Sequence, residues 1–265
     1  MTVFVAGSIE RERERRGAGR ELTLSRMTAL STDTAALDPR VRSYDLGAWL
    51  YDWVVASPLY HRFVWGMRPE QHEAFARRAL AQSAPGEVLD AGSGSLLFTA
   101  RAYRDSKRFL TLLDGSAGML ARARRRLGSS AHEARIKLRQ GDLYALPFAE
   151  AHFANVFHFG VLHCLDRPER CLAELARVAQ PDAPLFLSCL VLGRKRGDAF
   201  LARLHRTGHV AAPRTADEVR ALINDAGFVV QSSQIRGSFL FIEACARRGA
   251  AMPSQAGAMM FSAGK

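Results

Sequence analysis

Cysteine is scarce in this chain of 265 residues: Cys164, Cys171, Cys189 and Cys245 stand at irregular spacings. There is no CxxC pair, and no histidine lies at metal-ligand spacing from a second cysteine. A zinc knuckle and a disulfide framework are therefore excluded, and the thiols read as small buried hydrophobes of a reducing compartment. Long apolar runs are also missing. The longest, Pro184 to Gly193, falls far short of the roughly 20 residues that a membrane helix needs. No cationic stretch precedes the apolar Met1–Ser8, so no signal peptide is read and a cytoplasmic protein is expected. Aromatic residues make up only 9% of the chain, and none interleaves with the Arg124–Arg126 run as a single-strand stacking platform would require. Acids are outnumbered, 26 Asp+Glu against 37 Lys+Arg, for a net charge of +11. Between Arg101 and Gln140, eleven cations face only Asp105, Asp114 and Glu133. We read that segment as a solvated arginine-rich face ahead of a nucleic-acid groove.

What remains is an ordinary globular mixture, 48% hydrophobic and 24% charged. Residues 1–40 carry alternating charge and turn formers without an apolar period, and read as a flexible tail or as an over-extended start upstream of Met27. Residues 249–265 read as a second tail, leaving one domain over residues 41–248. Within it, strands are expected at Glu87–Asp90, Phe109–Leu113, Arg135–Gln140, Asn155–Phe159, Leu185–Val191, Phe228–Gln231 and Ser238–Ala246. Helices are expected at Tyr44–Val55, Pro69–Ala81, Leu97–Arg104, Ala117–Leu127, Arg167–Ala179 and Ala216–Ala226. This alternation predicts an α/β fold: a Rossmann-like, seven-stranded, mostly parallel sheet with helices on both faces and an antiparallel C-terminal strand. The charged alternation of ARIKLRQ suits a sheet margin, and the continuous apolar LFLSCLV suits a central strand.

Three local patterns bear on chemistry. In EVLDAGSGSLLFTA an apolar strand ends at Asp90 and turns through Gly92 and Gly94, where a ligand can approach bare backbone. A dinucleotide fingerprint would place a third glycine at position 97, which is leucine. Asp114 ends the next strand in FLTLLDGSAGML, placed to accept both hydroxyls of a ribose; the competing reading is a helix cap, a job Ser116 can also do. Asp142, in RQGDLYALPF, is placed to accept from an exocyclic amino group while the Leu143 N–H donates to a ring nitrogen. A simple Gly–Asp turn explains Asp142 equally well.

Taken in order, VLDAGSG, LLDGSAGML, GDLYALPF, HFANVFHFGVLHCLD and CLAELARVAQPDAPLFLS resemble the class I S-adenosylmethionine-dependent methyltransferases, closest to the small-molecule branch that includes ubiquinone and menaquinone C-methyltransferases. The resemblance runs from about Tyr44 to Ala246, and AWLYDWVVASPLYHRFVWG more loosely resembles the helix that lids the cofactor there. It implies S-adenosyl-L-methionine as cofactor and methyl transfer by direct in-line displacement to a small molecule, at a carbon, oxygen or nitrogen centre of an aromatic or lipid-like acceptor. It further implies that Asp90, Gly92 and Gly94 border the methionine and ribose, that Asp114 holds the ribose and that Met119 packs on the adenine. Asp142 and Leu143 would read the adenine edge, the backbone at His158 would face the methionyl amine, and His163 would stand on the acceptor side. Leu96 in place of a third glycine, Asn155 in place of an Asp, and Gln180–Ala183 in place of a Pro–Gly–Gly turn depart from the pattern.

Such a transfer needs alignment and exclusion of water more than it needs a metal, and none is expected. His163 is the best-placed base, followed by His158, against the rival reading of hydrogen-bonded core histidines. Tyr51 is a further candidate, for which core packing is the safer reading, and Cys164 is discounted as the neighbour of His163. Acceptor selectivity is assigned to residues 49–65, with Trp53, Phe63 and Trp65 as an apolar wall, and to the segment GRKRGDAFLARLHRTGHVAAPRT. The alternatives are an RNA-directed methyltransferase and a non-catalytic S-adenosylmethionine-binding partner subunit. A DNA amino-methyltransferase is disfavoured because its (D/N)PP(Y/F) tetrad is missing after the fourth strand.

Overall fold

A computed structural model describes residues 61–247. Both expected tails, the expected helix Tyr44–Val55 and the candidates Trp49, Tyr51 and Trp53 lie outside the described residues. Seven strands form one sheet in the order β3-β2-β1-β4-β5-β7-β6: β1 Val88–Ala91, β2 Leu110–Asp114, β3 Ile136–Gln140, β4 Asn155–Phe159, β5 Pro184–Leu190, β6 Phe228–Arg236 and β7 Phe239–Ala246. The first five are mutually parallel, and β7 runs antiparallel to both β5 and β6. The chain leaves β1 outward to β2 and β3, then returns to β4 on the other side of β1. The crevice at the carboxyl ends of β1 and β4 is therefore the switch point where ligands bind in open α/β sheets.

Alternate side chains of the strands feed two cores. Leu89, Ala91, Leu113 and Val156 pack with Leu172 and Leu175 of α4 (Pro168–Val178) and with Val219 and Ile223 of α6 (Ala216–Asp225). Val88, Leu110, Leu112 and Phe157 pack with Ala76 and Ala79 of α1 (Glu70–Gln82), Ala102 and Tyr103 of α2 (Ala100–Asp105), and Ala123 and Leu127 of α3 (Ala117–Leu127). The period-two alternation thus covers both faces of the sheet with helices. Local chemistry sets the ends: Ser116 Oγ accepts from Met119 N at the start of α3, and Thr215 and Glu218 form a reciprocal capping box at α6. All four cysteines are free thiols.

Three expectations are corrected. The segment after β5, where no helix is expected, holds one: Lys195–Arg206 forms helix α5, whose first turn is tied by Asp198 Oδ1 accepting from Gly193 N and Arg194 N. Gly197 and a dense basic face hide its apolar stripe in the sequence. β6 continues five residues beyond Gln231, because ladder bonds to β7 sustain an edge strand whose outer residues are exposed and lack an apolar period. α2 begins at Ala100 rather than Leu97, since Leu96 adopts φ +56 and leaves the helical path. Asn155, the departure at β4, is well suited to its place: its amide accepts from Ala84 N and donates to Ala84 O, a pairing an aspartate could not complete. At the departing turn, Asp182 takes φ +62, a conformation that a glycine would hold more easily.

Candidate active site

The loop after β1 is pinned to β2. Gly92 N and Ser93 N both donate to Leu113 O, at 2.8 and 2.9 Å. Gly92 (φ +76) has no room for a side chain, since an added Cβ would sit 2.8 Å from a Val161 methyl. Gly94 (φ +57) faces open space, so it is required for its backbone conformation alone. Asp114, at the tip of β2, accepts from Gly94 N (2.8 Å) through Oδ2 and from Ser116 N (2.9 Å) through Oδ1. Ser116 supplies the helix cap, and Asp114 binds the glycine loop. Asp142 follows β3 and accepts from Tyr144 N (2.9 Å) through Oδ1, so the turn-forming reading is realised there. Leu143 is half-buried beside it, and Met119 is buried in the first turn of α3.

Leu96 turns into the core on one face of the sheet. Its side chain is 2% exposed and packs downward into the core that contains Tyr103 and Leu112. Asp90 points to the same side: its Oδ2 accepts from Tyr103 Oη (2.7 Å), while Oδ1 is buried without a hydrogen bond. Burial pushes its carboxyl up to about 7, the Asp114 charge adds to the rise, and the Tyr103 hydrogen bond opposes it.

Two imidazoles lie in β4 and just after it. His158 is fully buried, and its Nδ1 must donate to Ala91 O (2.7 Å) because a carbonyl only accepts. Its Nε2 is then an unprotonated acceptor with no partner. Burial lowers its pKa to about 4. His163, in the short 3-10 turn Leu162–Cys164, accepts from Leu190 N (3.3 Å) through Nδ1 and therefore carries its proton on Nε2. Burial, and secondarily His158, lowers it to about 4.

A group that the sequence reading overlooked lies next to these residues: His61, His72, Phe98, Phe239 and Phe241. His72 stacks on Phe98 (4.8 Å between ring centroids) and meets Phe239 edge-on (4.6 Å). His61 belongs to a π-helical turn, His61–Trp65, that lies over the crest. Arg194 Nη1 donates to Val64 O (2.6 Å) and Ser238 N donates to Trp65 O (2.8 Å), fastening that turn to α5 and to the β6–β7 turn. Of the two described members of the expected apolar wall, Trp65 is buried against Phe200 and Phe239, whereas Phe63 is 58% exposed. The five rings of this group come from four separate segments, and no single motif in the sequence marks them. Among the described residues, no group of three His, Cys, Asp or Glu is placed to hold a metal ion, and no helix is long and apolar enough to cross a membrane.

A family model described as a methyltransferase domain matches residues 89–187, from β1 to β5. The chain carries a methyltransferase domain of the class I, S-adenosylmethionine-dependent type. Its similarities to curated proteins include malonyl–acyl-carrier-protein O-methyltransferase of Serratia marcescens, 36% identical over 125 residues (46% of each chain). Demethylmenaquinone methyltransferase of Parafrankia sp. is 36% identical over 123 residues, 41% of this chain and 48% of the other. The chain thus spans about half the length of the curated relatives it matches. Among solved structures, the (4+2)-cyclase SpnF superposes with a TM-score of 0.64 at 16% identity, over 78% of this chain and 94% of that one. A geranyl diphosphate methyltransferase in complex with GPP and sinefungin gives 0.56 at 16% identity, over 67% and 76%. At such identities these two structures establish the shared fold of the methyltransferase domain and nothing narrower.

Proposed function

We propose that this protein transfers the methyl group of S-adenosylmethionine to a small-molecule acceptor by direct in-line displacement. The observation that carries this reading is the tie between Asp114 Oδ2 and Gly94 N, which brings a carboxylate to a side-chain-free bend at the switch point of the sheet. The residues fit an adenosyl sulfonium: Gly94 leaves open space at the rim, and Ser93 Oγ and His158 Nε2 are buried polar atoms still lacking a hydrogen bond. The bound cofactor supplies a methyl already activated by positive sulfur.

In this reading Asp90, Gly92 and Gly94 border the methionine and ribose, and the Asp114 carboxylate accepts from the ribose hydroxyls. Met119 packs on the adenine, whose edge is read by the Leu143 N–H and by Asp142, with Oδ2 available because Oδ1 serves the turn. The backbone at His158 faces the methionyl amine. His163 stands on the acceptor side as a donor through Nε2–H, since its Nδ1 lone pair is engaged by Leu190 N. The His61–Trp65 turn excludes water. A small-molecule acceptor is favoured over RNA because four cations of the basic segment, Arg104, Arg108, Arg126 and Arg135, are engaged by backbone carbonyls. The test is incubation of purified protein with tritiated-methyl S-adenosylmethionine and metabolite extract. Label in a small molecule is expected; label in RNA alone, or no label despite cofactor binding, overturns the reading.

A further inference from the structure

The aromatic group beneath the His61–Trp65 turn holds a polar atom that the fold itself leaves unused. His72 Nε2, on the first turn of α1, is fully buried and makes no hydrogen bond. Its ring lies 18° from the plane of Phe98 and stands 84° to that of Phe239, so two walls meet at a right angle around it. Phe241 (5.8 Å) and His61 (5.6 Å, edge-on) complete the surround. The position is the crest of the sheet: Phe98 ends the glycine-loop segment, and Phe239 opens β7 opposite Leu190, the residue whose N–H is bound by His163.

Resting on the methyl-transfer reading, we infer that this group is the acceptor chamber and that His72 is its specificity-determining residue, selecting a flat, uncharged aromatic ring through a hydrogen bond between Nε2 and a ring hydroxyl. Three physical points support the choice. Stacked and edge-on rings at right angles complement a planar aromatic rather than a branched chain. A hydroxyl both donates and accepts, so it satisfies Nε2 in either imidazole tautomer. A carboxylate or phosphate would lose its hydration among three phenylalanines and two imidazoles. An ammonium would lose its hydration likewise, and Glu243, two residues from Phe241 on β7, is paired with Arg78 (2.6 Å). The rings are in contact with one another, so a ligand enters as the His61–Trp65 turn lifts, a movement opposed at its carbonyls by the Arg194–Val64 and Ser238–Trp65 hydrogen bonds.

The experiment is calorimetric titration of the whole protein with 1-naphthol, 1-naphthoate and 1-naphthylmethylamine, each with and without S-adenosylhomocysteine. It is repeated on His72→Phe, which keeps the ring, and on His72→Gln, which keeps a hydrogen-bonding group. Naphthol is expected to bind at least tenfold tighter than either charged probe. His72→Phe is expected to lose that preference tenfold, and His72→Gln to retain most of it. In the wild type, the 15N resonance of His72 Nε2 is expected to move on addition of naphthol, a readout that needs no variant. Equal naphthol affinity in wild type and His72→Phe, a stationary resonance, or preference for a charged probe overturns the assignment. Loss of S-adenosylhomocysteine binding in the wild type with naphthol binding intact would instead overturn the methyl-transfer reading and leave the chamber standing.

Discussion

Two residues at the glycine loop show how one carboxylate and one apolar side chain divide the work. Asp114 holds Gly94 N through Oδ2 and Ser116 N through Oδ1 and so fixes the bend to the tip of β2. Asp114→Ala is expected to weaken S-adenosylhomocysteine binding by about 1.5–3 kcal/mol, the scale of hydrogen bonds to a charged group. An unchanged dissociation constant by calorimetry would remove Asp114 from the site. Leu96 combines a left-handed backbone with a buried side chain. Glycine there relieves about 1–2 kcal/mol of backbone strain, while removing a buried leucine costs about 3–5 kcal/mol. The side chain wins, and Leu96→Gly is expected to lower stability in urea unfolding by about 2 kcal/mol or more; a stabilised variant would show that packing of Leu96 is dispensable.

At the scale of elements, the His61–Trp65 turn depends on the β6–β7 turn. Gly237 has φ +60, and an added Cβ would overlap Trp65 O. Gly237→Ala is therefore expected to break the bond from Ser238 N to Trp65 O and speed exchange of the Ser238 amide at least tenfold, with amides of β4 unaffected. Wild-type protection at Ser238 would mean that the turn is held elsewhere. The same docking explains why α5 escapes a reading of its sequence: Leu201 and Phe200 acquire their apolar surroundings only against Trp65 and its neighbours. β1, β4, α3 and α6 were legible, because their periodicity and caps are local properties.

Across the whole molecule, buried titratable groups set the response to acid. His72, His158 and His163 have pKa values lowered to about 3, 4 and 4, below the ordinary 6.5. Their stabilisation is present above pH 6.5 and is lost as pH falls toward 4, since only the unfolded chain takes up the protons. Asp90, raised from 3.8 to about 7, acts oppositely: its stabilisation is fully present below pH 3.8 and is lost as pH rises from there through 7. Three groups against one decide the sign. Stability is expected to fall between pH 6.5 and 4.5, with net proton uptake on unfolding, and Asp90→Asn should steepen that fall. Thermal unfolding across this range checks it; a flat profile for both proteins would contradict the burial of the histidines.

The sequence by itself determined the parallel sheet, the glycine bend, the carboxylates at successive strand ends and hence the methyltransferase family, because each is written in residues close along the chain. Only the tertiary structure decided that Asp114 clasps Gly94 and Ser116 caps the helix, since both were chemically able to cap. It alone joined His61, His72, Phe98, Phe239 and Phe241. Those rings lie far apart in the chain, and contacts of that range are made by packing of the sheet crest, which no local period encodes.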